Sequence, residues 1–328
     1  MIISSSVYAR VGLAGNPSDG FYGKTLSACV KNWQAFVSIE PRGREGIIIM
    51  PNTAMDTLTY KSLQDLANHT EKYGYYGTLR LIKATCSLFQ KQYQPEMKSG
   101  YGFSIKYNST IPRQVGLGGS SALVMALLNC LLEYYQVEIT KAEKAHLAWS
   151  VENKELGITA GLQDRVAQAY GGLVYMDLAD PDNGKYEQLY YELPPAFIAY
   201  TNHPCKESGQ IHNPIRYRFE QGDREVIETM AKLAKIAQGA KSVLGKGKMD
   251  DFGHLMKWNF TTRLGLYGDI GQDNIKMIEI ATELDCPVKL PGSGGAVIGL
   301  YKDEAQYQQL EQAYYDQGFE IVKVLWDR

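Results

Sequence analysis

The sequence predicts an α+β fold built from two domains. Short segments rich in β-branched and aromatic residues recur along the chain, and apolar residues at helical spacing occupy longer segments between them. Several strand-like segments come in succession before the helices follow, which favours an α+β fold over a regularly alternating parallel sheet. A cluster of turn residues, ADPDNGK at 179–185, predicts the boundary. We therefore expect an N-terminal domain over residues 1–185 and a C-terminal domain over residues 186–328.

The individual elements follow from these patterns in chain order. Residues 1–6 read as a first strand. Further strands are predicted at 35–40, 46–50, 102–107, 172–177, 196–201, 296–301 and 320–325. Helices are predicted at 76–92, 121–135, 141–156, 223–244 and 273–283. Thr140 and Glu143 form a capping-box pattern, which fixes the start of the third of these helices.

The composition excludes several classes of function. The chain has 328 residues, a hydrophobic content of 45% and a formal net charge of −2, which gives no basic surface for nucleic acid or an anionic membrane. No apolar stretch near 20 residues and no signal-like segment are visible in the sequence. Five cysteines lie far apart without metal-ligand spacing, which predicts reduced thiols and a cytoplasmic protein.

A glycine-rich segment at 111–122, IPRQVGLGGSSA, directly precedes the long apolar helix. Glycines let backbone N–H groups approach a ligand, and the N-terminus of a helix attracts anions. The segment therefore predicts a phosphate-binding loop, with a tight turn and helix cap as the alternative. The ordinary P-loop pattern is absent, because no Gly-Lys-Ser/Thr follows the glycines. The predicted phosphate-binding residues are Pro112, Gly116, Leu117, Gly118, Gly119, Ser120, Ser121 and Ala122.

Two acidic residues follow this loop at positions where phosphate chemistry would need them. Glu152 lies late in a predicted helix among apolar neighbours, and Asp164 follows a glycine turn. Transfer of a phosphoryl group requires a metal ligand and a group that orients or deprotonates the attacking hydroxyl. By themselves, the two residues are more often structural, with Glu152 on a solvated helix face and Asp164 as a helix cap.

Two further segments extend the pattern to both ends of the chain. They are YARVGLAGNPSD at 8–19 and KLPGSGGAVI at 289–298. Together with the loop at 111–122, and in this order, they resemble the signature motifs of the GHMP kinases. The resemblance spans nearly the whole chain. It implies an N-terminal domain like ribosomal protein S5, a ferredoxin-like C-terminal domain, and ATP and Mg²⁺ as cofactors.

The resemblance also implies roles for individual residues. Glu152 takes the position of the glutamate that binds Mg²⁺ in these kinases, and Asp164 takes that of the aspartate that faces the substrate hydroxyl. Arg10 takes the position of the basic residue beside that aspartate. An aspartate paired with a cation is a weak base, so Asp164 either accepts the proton or only orients the hydroxyl.

The phosphate loop departs from the usual family form by one residue. The common Gly-Leu-Gly-Ser-Ser-Ala is here Gly-Leu-Gly-Gly-Ser-Ser-Ala, so the serine that binds Mg²⁺ is Ser120 when counted from the start of the loop and Ser121 when counted back from its end. The count from the start favours Ser120. The segment at 289–298 is the third glycine segment along the chain. It is expected to support the phosphate loop, which is the segment at 111–122.

The first motif narrows the choice of substrate. Galactokinases carry Gly-Glu-His where this chain has Gly15-Asn16-Pro17, which argues against galactose. The sequences GNPSD at 15–19, GLQDRV at 161–166 and SGQIHNPIRYR at 208–218 resemble glucuronokinases. The resemblance implies ATP-dependent phosphorylation of D-glucuronic acid at its anomeric hydroxyl.

The small-molecule partners are thus ATP and a sugar, with no role for nucleic acid or membrane. Asn16 and Asp19 match positions that hold sugar hydroxyls in related kinases, and a uronic acid also needs a cation for its carboxylate. The candidates for that cation site are Arg165, His212, Arg216 and Arg218. Surface ion pairs are the alternative for the arginines. Other substrates, such as a heptose phosphate, fucose or galacturonic acid, and a non-catalytic nucleotide or sugar sensor remain as alternative functions.

Overall fold

The computed structural model describes residues 1–43, 46–50, 58–75, 79–94, 102–180, 184–202 and 208–327, with only the backbone for 208–212. These residues form two compact units that interleave along the chain. The first unit comprises Met1–Ala9, Trp33–Ile111 and Gly119–Ala160. The second comprises Arg10–Asn32, Pro112–Gly118 and Gly161–Arg328. The domain boundary at residue 185 stays a prediction, and residues 181–183 of that loop lie outside the described residues.

Two long strands, β1 (Ile3–Ala14) and β2 (Lys24–Arg42), pair with each other and run from one unit into the other. In the first unit, the later part of β2 pairs antiparallel with β5 (Gly102–Ser109). On the other side of β5 lie β3 (Ile47–Met50), which pairs with it in parallel, and then β4 (Leu58–Tyr60). Alternating buried apolar residues on these strands form one face of the first core.

Four α-helices lie within the described residues of the first unit. They are α1 (Leu63–Tyr73), α2 (Arg80–Tyr93), α3 (Gly119–Tyr135) and α4 (Lys141–Ser150). Helix α3 is buried over most of its surface, as expected for a run with few polar residues. The capping box predicted at Thr140 and Glu143 is confirmed at the start of α4. Helix α4 continues as one π-helical turn, Val151–Glu155.

The second unit contains two groups of strands. The beginning of β2 pairs with β6 (Leu173–Asp177), which pairs with β7 (Lys185–Leu189). A separate antiparallel sheet has the order β11-β8-β10-β9. Its strands are β8 (Ala196–Tyr200), β9 (Val288–Lys289), β10 (Ala296–Leu300) and β11 (Glu320–Lys323).

Six helices complete the second unit. They are α5 (Gln163–Tyr170), α6 (Ser208–Glu220), α7 (Arg224–Gly245), α8 (Met249–Tyr267), α9 (Gln272–Glu283) and α10 (Glu304–Asp316). A core cluster that includes Phe197, Met277, Leu310 and Tyr314 joins the second sheet to α9 and α10. Strands in groups followed by runs of helices confirm the predicted α+β class.

Most predicted elements are present, with shifted ends. The predicted strand at 35–40 is the end of the much longer β2, and the predicted helix at 76–92 begins at Arg80, with 76–78 outside the described residues. Helices α1, α5, α6, α8 and α10 were missed. In α8, polar residues occupy part of the buried face, which hides the apolar period on which such predictions depend.

Two whole-chain expectations can be compared with the structure. None of the helices within the described ranges is both long and apolar enough to cross a membrane. The four cysteines that the structure describes are buried free thiols. Cys205 lies outside the described residues, and location in the cytoplasm stays a prediction.

Two glycine segments of the second unit approach each other closely. A Cβ atom added to Gly292 would lie 2.0 Å from the carbonyl oxygen of Gly116, and one added to Gly116 would lie 2.9 Å from the Ser293 nitrogen. Gly116 also has φ = +70°, which favours glycine. The two backbones therefore touch where a side chain would separate them.

We predict that Gly292→Ala destabilises the protein by at least about 2 kcal/mol, because the clash is with backbone atoms that cannot rotate away. The matched control is Gly265→Ala within α8, where an added Cβ meets nothing within 4 Å. The control should gain up to about 1 kcal/mol from better helix propensity. Urea unfolding of both variants measures this, and equal stability of the two would contradict the close approach.

Candidate functional site

Arg10 joins three of the sequence motifs within the second unit. Its Nε donates a hydrogen bond to Asp164 Oδ1 at 2.6 Å. Its Nη1 donates to the carbonyl oxygens of Gly116 at 2.7 Å and Pro291 at 3.2 Å. The side chain is buried, so these bonds form away from bulk water, where they are stronger. One guanidinium thus holds the predicted aspartate, the phosphate loop and the third glycine segment together.

Asp164 lies in the first turn of α5, next to the buried Arg165. The Arg165 Nη1 lies 3.8 Å from Asp164 Oδ2 and donates to the Gly161 carbonyl at 3.0 Å. The Asp164 side chain keeps 20% of its surface exposed, whereas those of Arg10 and Arg165 keep 6% and 3%. The carboxylate is therefore held by two cations and still accessible.

Asp19 comes from the first motif and reaches the segment that leads into α5. It lies in a 3-10 turn, Ser18–Phe21, and its Oδ2 accepts a hydrogen bond from the Gln163 backbone N–H at 3.3 Å. A Cβ on residue 161 would lie 1.8 Å from that oxygen, so glycine at this position lets Asp19 approach. Burial, and then the negative charge of Asp164, raise the pKa of Asp19 from 3.8 to about 6.

The phosphate loop is fixed through its carbonyl groups. Gly116 O accepts from Arg10 as described, Leu117 O accepts from the Arg10 backbone N–H at 3.1 Å, and Gly118 O accepts from Gln168 Nε2 at 2.9 Å. In a trans peptide the N–H points away from the carbonyl. The N–H groups of Leu117 and Gly118 therefore point to the side opposite those contacts, as a phosphate-binding loop requires.

The two serines and Glu152 belong to the first unit. Ser121 is fully buried in the first turn of α3, whereas Ser120 is exposed. Glu152 is buried on the π-helical turn. Such turns often occur at functional sites because they re-aim one side chain. A carboxylate and hydroxyls are the hard oxygen ligands that Mg²⁺ prefers, so these donors fit that ion.

Asn153 fixes the chain just after Glu152. Its Nδ2 donates to the carbonyl oxygens of Trp149 and Ala160, and its Oδ1 accepts from the Ala160 N–H, each at 3.2 Å. The Trp149 Nε1 donates to the same Ala160 carbonyl at 2.8 Å. The segment that follows the π-helical turn is thereby tied back to α4, which fixes Glu152 in place.

Three buried cations hold consecutive carbonyls of the third glycine segment. Lys289 Nζ donates to Leu290 O at 2.8 Å, Arg10 to Pro291 O as above, and Arg263 Nη1 to Gly292 O at 2.7 Å. Lys289 also donates to Gly12 O at 2.7 Å and to Asn16 Oδ1. Burial, followed by the charges of Arg263 and Arg10, holds the pKa of Lys289 well below its usual range.

Helix α8 contributes residues that sequence reasoning missed. Asn259 accepts from the Gly15 N–H and donates to Asn16 O at 3.2 Å, so it holds the first motif. Arg263, one turn later, holds the third, and its guanidinium lies 5.2 Å from the centre of the Tyr267 ring. Asn259, Arg263 and Tyr267 are spaced i, i+4 and i+8 along α8. A polar stripe at that spacing is the signal that could have found them.

The remaining candidates for substrate contacts already bind other protein groups. Arg218 is partly exposed and pairs with Asp223 at 2.7 Å and Glu225 at 2.6 Å. Arg216 pairs with Glu220 at 2.7 Å and donates to Gly20 O, next to Asp19. Asn16 uses both ends of its amide, on Lys289 and on Leu290 O. The backbone of His212 lies in α6, and its side chain is outside the described residues.

Comparison with known proteins gives several relatives. The chain is 38% identical to glucuronokinase 1 of Arabidopsis thaliana, over 97% of this chain and 90% of that protein. It is 26% identical to a D-glycero-alpha-D-manno-heptose 7-phosphate kinase of Campylobacter jejuni, over 75% of this chain and 71% of that one. The structure of Lactococcus lactis galactokinase complexed with galactose superimposes with a TM-score of 0.83 at 17% identity, covering 99% of this chain and 93% of that one.

Two family models match the chain. Residues 80–172 match the GHMP kinases N terminal domain, and residues 240–319 match the GHMP kinases C terminal domain. The matches confirm the resemblance drawn from the three motifs and the fold that it implied. With the Arg10–Asp164 pair holding those motifs and a close relative along nearly the whole length, the chain belongs to the GHMP kinase family.

Proposed function

We propose that this protein is an ATP-dependent sugar kinase that phosphorylates D-glucuronic acid at its anomeric hydroxyl. The observation that carries the proposal is the Arg10–Asp164 pair at 2.6 Å, because it provides an accessible carboxylate and a cation beside the phosphate loop. The Arabidopsis relative named a glucuronokinase supports the choice of sugar. Membership of the GHMP kinases, which are ATP-dependent, supports the phosphoryl donor.

The reaction exchanges one phosphorus–oxygen bond for another. The anomeric oxygen of the sugar forms a bond to the γ-phosphorus of ATP, and the bond from that phosphorus to the β,γ-bridging oxygen breaks, which releases ADP. The hydroxyl proton goes to Asp164 or, where Asp164 only orients the hydroxyl, to the transferred phosphoryl group. Arg10 pairs with Asp164 and offsets negative charge that develops on the transferred group.

The phosphates of ATP would bind the loop from Pro112 to Ala122. The N–H group of Leu117, which points away from the Arg10 partner of the neighbouring carbonyl, is suited to this contact. Ser120 or Ser121, with Glu152, would hold Mg²⁺, which neutralises phosphate charge when bound. The burial of Ser121 and Glu152 favours Ser121 over Ser120 as the partner of that carboxylate.

The sugar would bind beside Asp19. This carboxylate is half-buried, lies next to Asp164 in its electrostatic field and can accept hydrogen bonds from sugar hydroxyls. Asn16 supports the same turn through Lys289. Arg165 at the start of α5, Arg216 on Gly20, Arg218 and His212 remain the candidates from sequence for the sugar carboxylate.

The charges around the site favour an anionic substrate. Arg10, Arg165 and Arg263 are all buried in the second unit, and none of the described ion pairs gives Arg263 a carboxylate partner. Burial of an unbalanced charge is unfavourable, so a bound carboxylate would offset the excess. A sugar phosphate would do so too, and the heptose 7-phosphate kinase among the relatives makes such a substrate the second candidate.

The substrate is tested by measuring ADP release with Mg-ATP across a panel of sugars. The panel comprises D-glucuronic acid, D-galacturonic acid, D-glucose, galactose, fucose and a heptose 7-phosphate. We expect turnover with glucuronic acid at least about 100-fold more efficient than with glucose, since one charge-assisted hydrogen-bond pair accounts for that ratio. Phosphorus NMR should identify a sugar 1-phosphate. Preferred turnover of the heptose phosphate would replace glucuronic acid with the second candidate, and ATP binding without turnover would favour a sensor.

Asp164→Asn should reduce kcat about 10²- to 10⁴-fold, because the amide can neither accept the proton nor pair with Arg10 as an anion. ATP binding, measured by calorimetry, should persist. Asp177→Asn is the matched control. Asp177 lies at the end of β6, where it forms an ion pair with Lys24 at 2.8 Å outside the three motifs. Unchanged kcat in the Asp164 variant would contradict the mechanism.

Asp19→Asn should stabilise the folded protein at pH 7.5 while lowering turnover. The folded pKa of about 6 lies above the ordinary 3.8, so ionised Asp19 costs folding free energy above pH 6, and this cost disappears as pH falls towards 4. The stability gain of the variant should therefore shrink between pH 7.5 and pH 5.

Asp177→Asn provides a control of opposite sign for this measurement. Burial opposes ionisation of Asp177, but the hydrogen bond and charge of Lys24 outweigh it and lower its pKa. That variant should lose stability at pH 7.5. Urea unfolding at both pH values measures the differences, and a gain in the Asp19 variant that does not change with pH would contradict the role of burial.

A further inference from the structure

Arg263 is a buried cation whose charge no described ion pair balances. It is one of the largest fully buried side chains among the described residues, with 2% of the residue's surface exposed. It bonds to two backbone carbonyls, Gly292 O at 2.7 Å and Ser293 O at 3.5 Å, and its Nε has no hydrogen-bond partner among the described residues. Buried guanidinium groups normally face a carboxylate or phosphate, because a buried charge without a counter-charge is costly.

The position of Arg263 places it beside the proposed sugar site. Arg263 and Arg10 donate to adjacent carbonyls, Gly292 O and Pro291 O, and Arg10 also binds Asp164. One turn before Arg263 in α8, Asn259 binds the backbone of Gly15 and Asn16 in the motif that contains Asp19. The negative charge of Asp19 acts on Arg263, and the partly exposed Tyr267 ring lies 5.2 Å from the guanidinium. A ligand that contacts Asp19 and Asp164 therefore binds close to Arg263.

We propose that Arg263 binds the carboxylate of the uronic acid and determines the preference for an acidic over a neutral sugar. This rests on the proposed function, since it names the residue that reads the acid group of that substrate. The guanidinium offers a flat set of donors that suits a carboxylate, and its bond to Gly292 O orients it. Tyr267, stacked beside it, provides a phenol and a ring face for the sugar.

The other cations of the second unit are less suited to this role. Arg218 already has two carboxylate partners on the protein surface, and Arg216 has Glu220 and the Gly20 carbonyl. Arg10 and Arg165 both face Asp164, at 2.6 Å and 3.8 Å. Lys289 makes three protein hydrogen bonds, which use all the donors of its ammonium group. Arg263 combines burial and an unpartnered donor, and none of the described ion pairs gives it a carboxylate partner.

The inference is tested by the ratio of kcat/KM for D-glucuronic acid to that for D-glucose. The two sugars differ at carbon 6, where one has a carboxylate and the other CH₂OH. In Arg263→Gln we expect kcat/KM for glucuronic acid to fall about 10- to 100-fold, mainly through KM, while that for glucose changes little. Arg263→Lys keeps the charge and can still donate to Gly292 O. Its kcat/KM for glucuronic acid should therefore lie between that of the unaltered protein and that of Arg263→Gln.

Two further variants serve as controls. Arg224→Gln removes an exposed arginine that pairs with Glu228 at the start of α7. This variant should leave kcat/KM unchanged for both sugars. Arg216→Gln tests the competing candidate. Loss of the preference in that variant, with the preference retained in both Arg263 variants, would overturn the inference.

The remaining outcomes separate this inference from the proposed function. An equal fall for both sugars in Arg263→Gln and Arg263→Lys would show that Arg263 only holds the glycine segment, and would overturn the inference while the glucuronate assignment stands. Failure of the unaltered protein to phosphorylate glucuronic acid would overturn both. If Arg263→Gln does not fold, the ratio in Arg263→Lys decides, and a ratio equal to that of the unaltered protein is again the contradicting result.

Discussion

The site in the second unit depends on one arrangement, in which buried cations bind the carbonyl groups of residues 290–293. Lys289, Arg10 and Arg263 come from three separate elements, yet their donors meet on successive peptides of one glycine segment. Carbonyl dipoles stabilise the cations in the absence of water, and the cations fix the backbone of the segment in return. Removing either side would leave buried polar groups without partners.

This arrangement concentrates positively charged side chains around one glycine segment. Carbonyl groups satisfy the hydrogen bonds of a guanidinium but do not balance its charge, so the cations remain a source of positive potential. The two carboxylates near these cations differ in their local environment. Asp164 is paired with Arg10, whereas burial raises the pKa of Asp19. A protein that transfers a phosphoryl group between two anions has use for such a potential, because each bound anion lowers the cost of burying the cations.

Glycine has a specific purpose at the contact between the two glycine segments. Gly116 and Gly292 allow the backbones to approach until a Cβ would overlap, and this brings the Gly116 carbonyl within reach of Arg10. In the first unit, the π-helical turn and the Asn153 hydrogen bonds hold the buried Glu152 in a comparable way. In both units, the residues proposed to act on substrates are thus held by bonds to the backbone.

Local patterns in the chain were enough to predict the α+β class, the family, the three motifs with Arg10, and Asp164. The capping box at Thr140, a contact between residues three apart, was predicted in the same way. The fold had to be known before Lys289 and Arg263 could be seen to bind the glycine segment, and before Arg218 could be seen to pair with surface carboxylates. The role of a charged side chain depends on its burial and on partners distant in the chain, as with Arg263 and Gly292, and no local pattern encodes these.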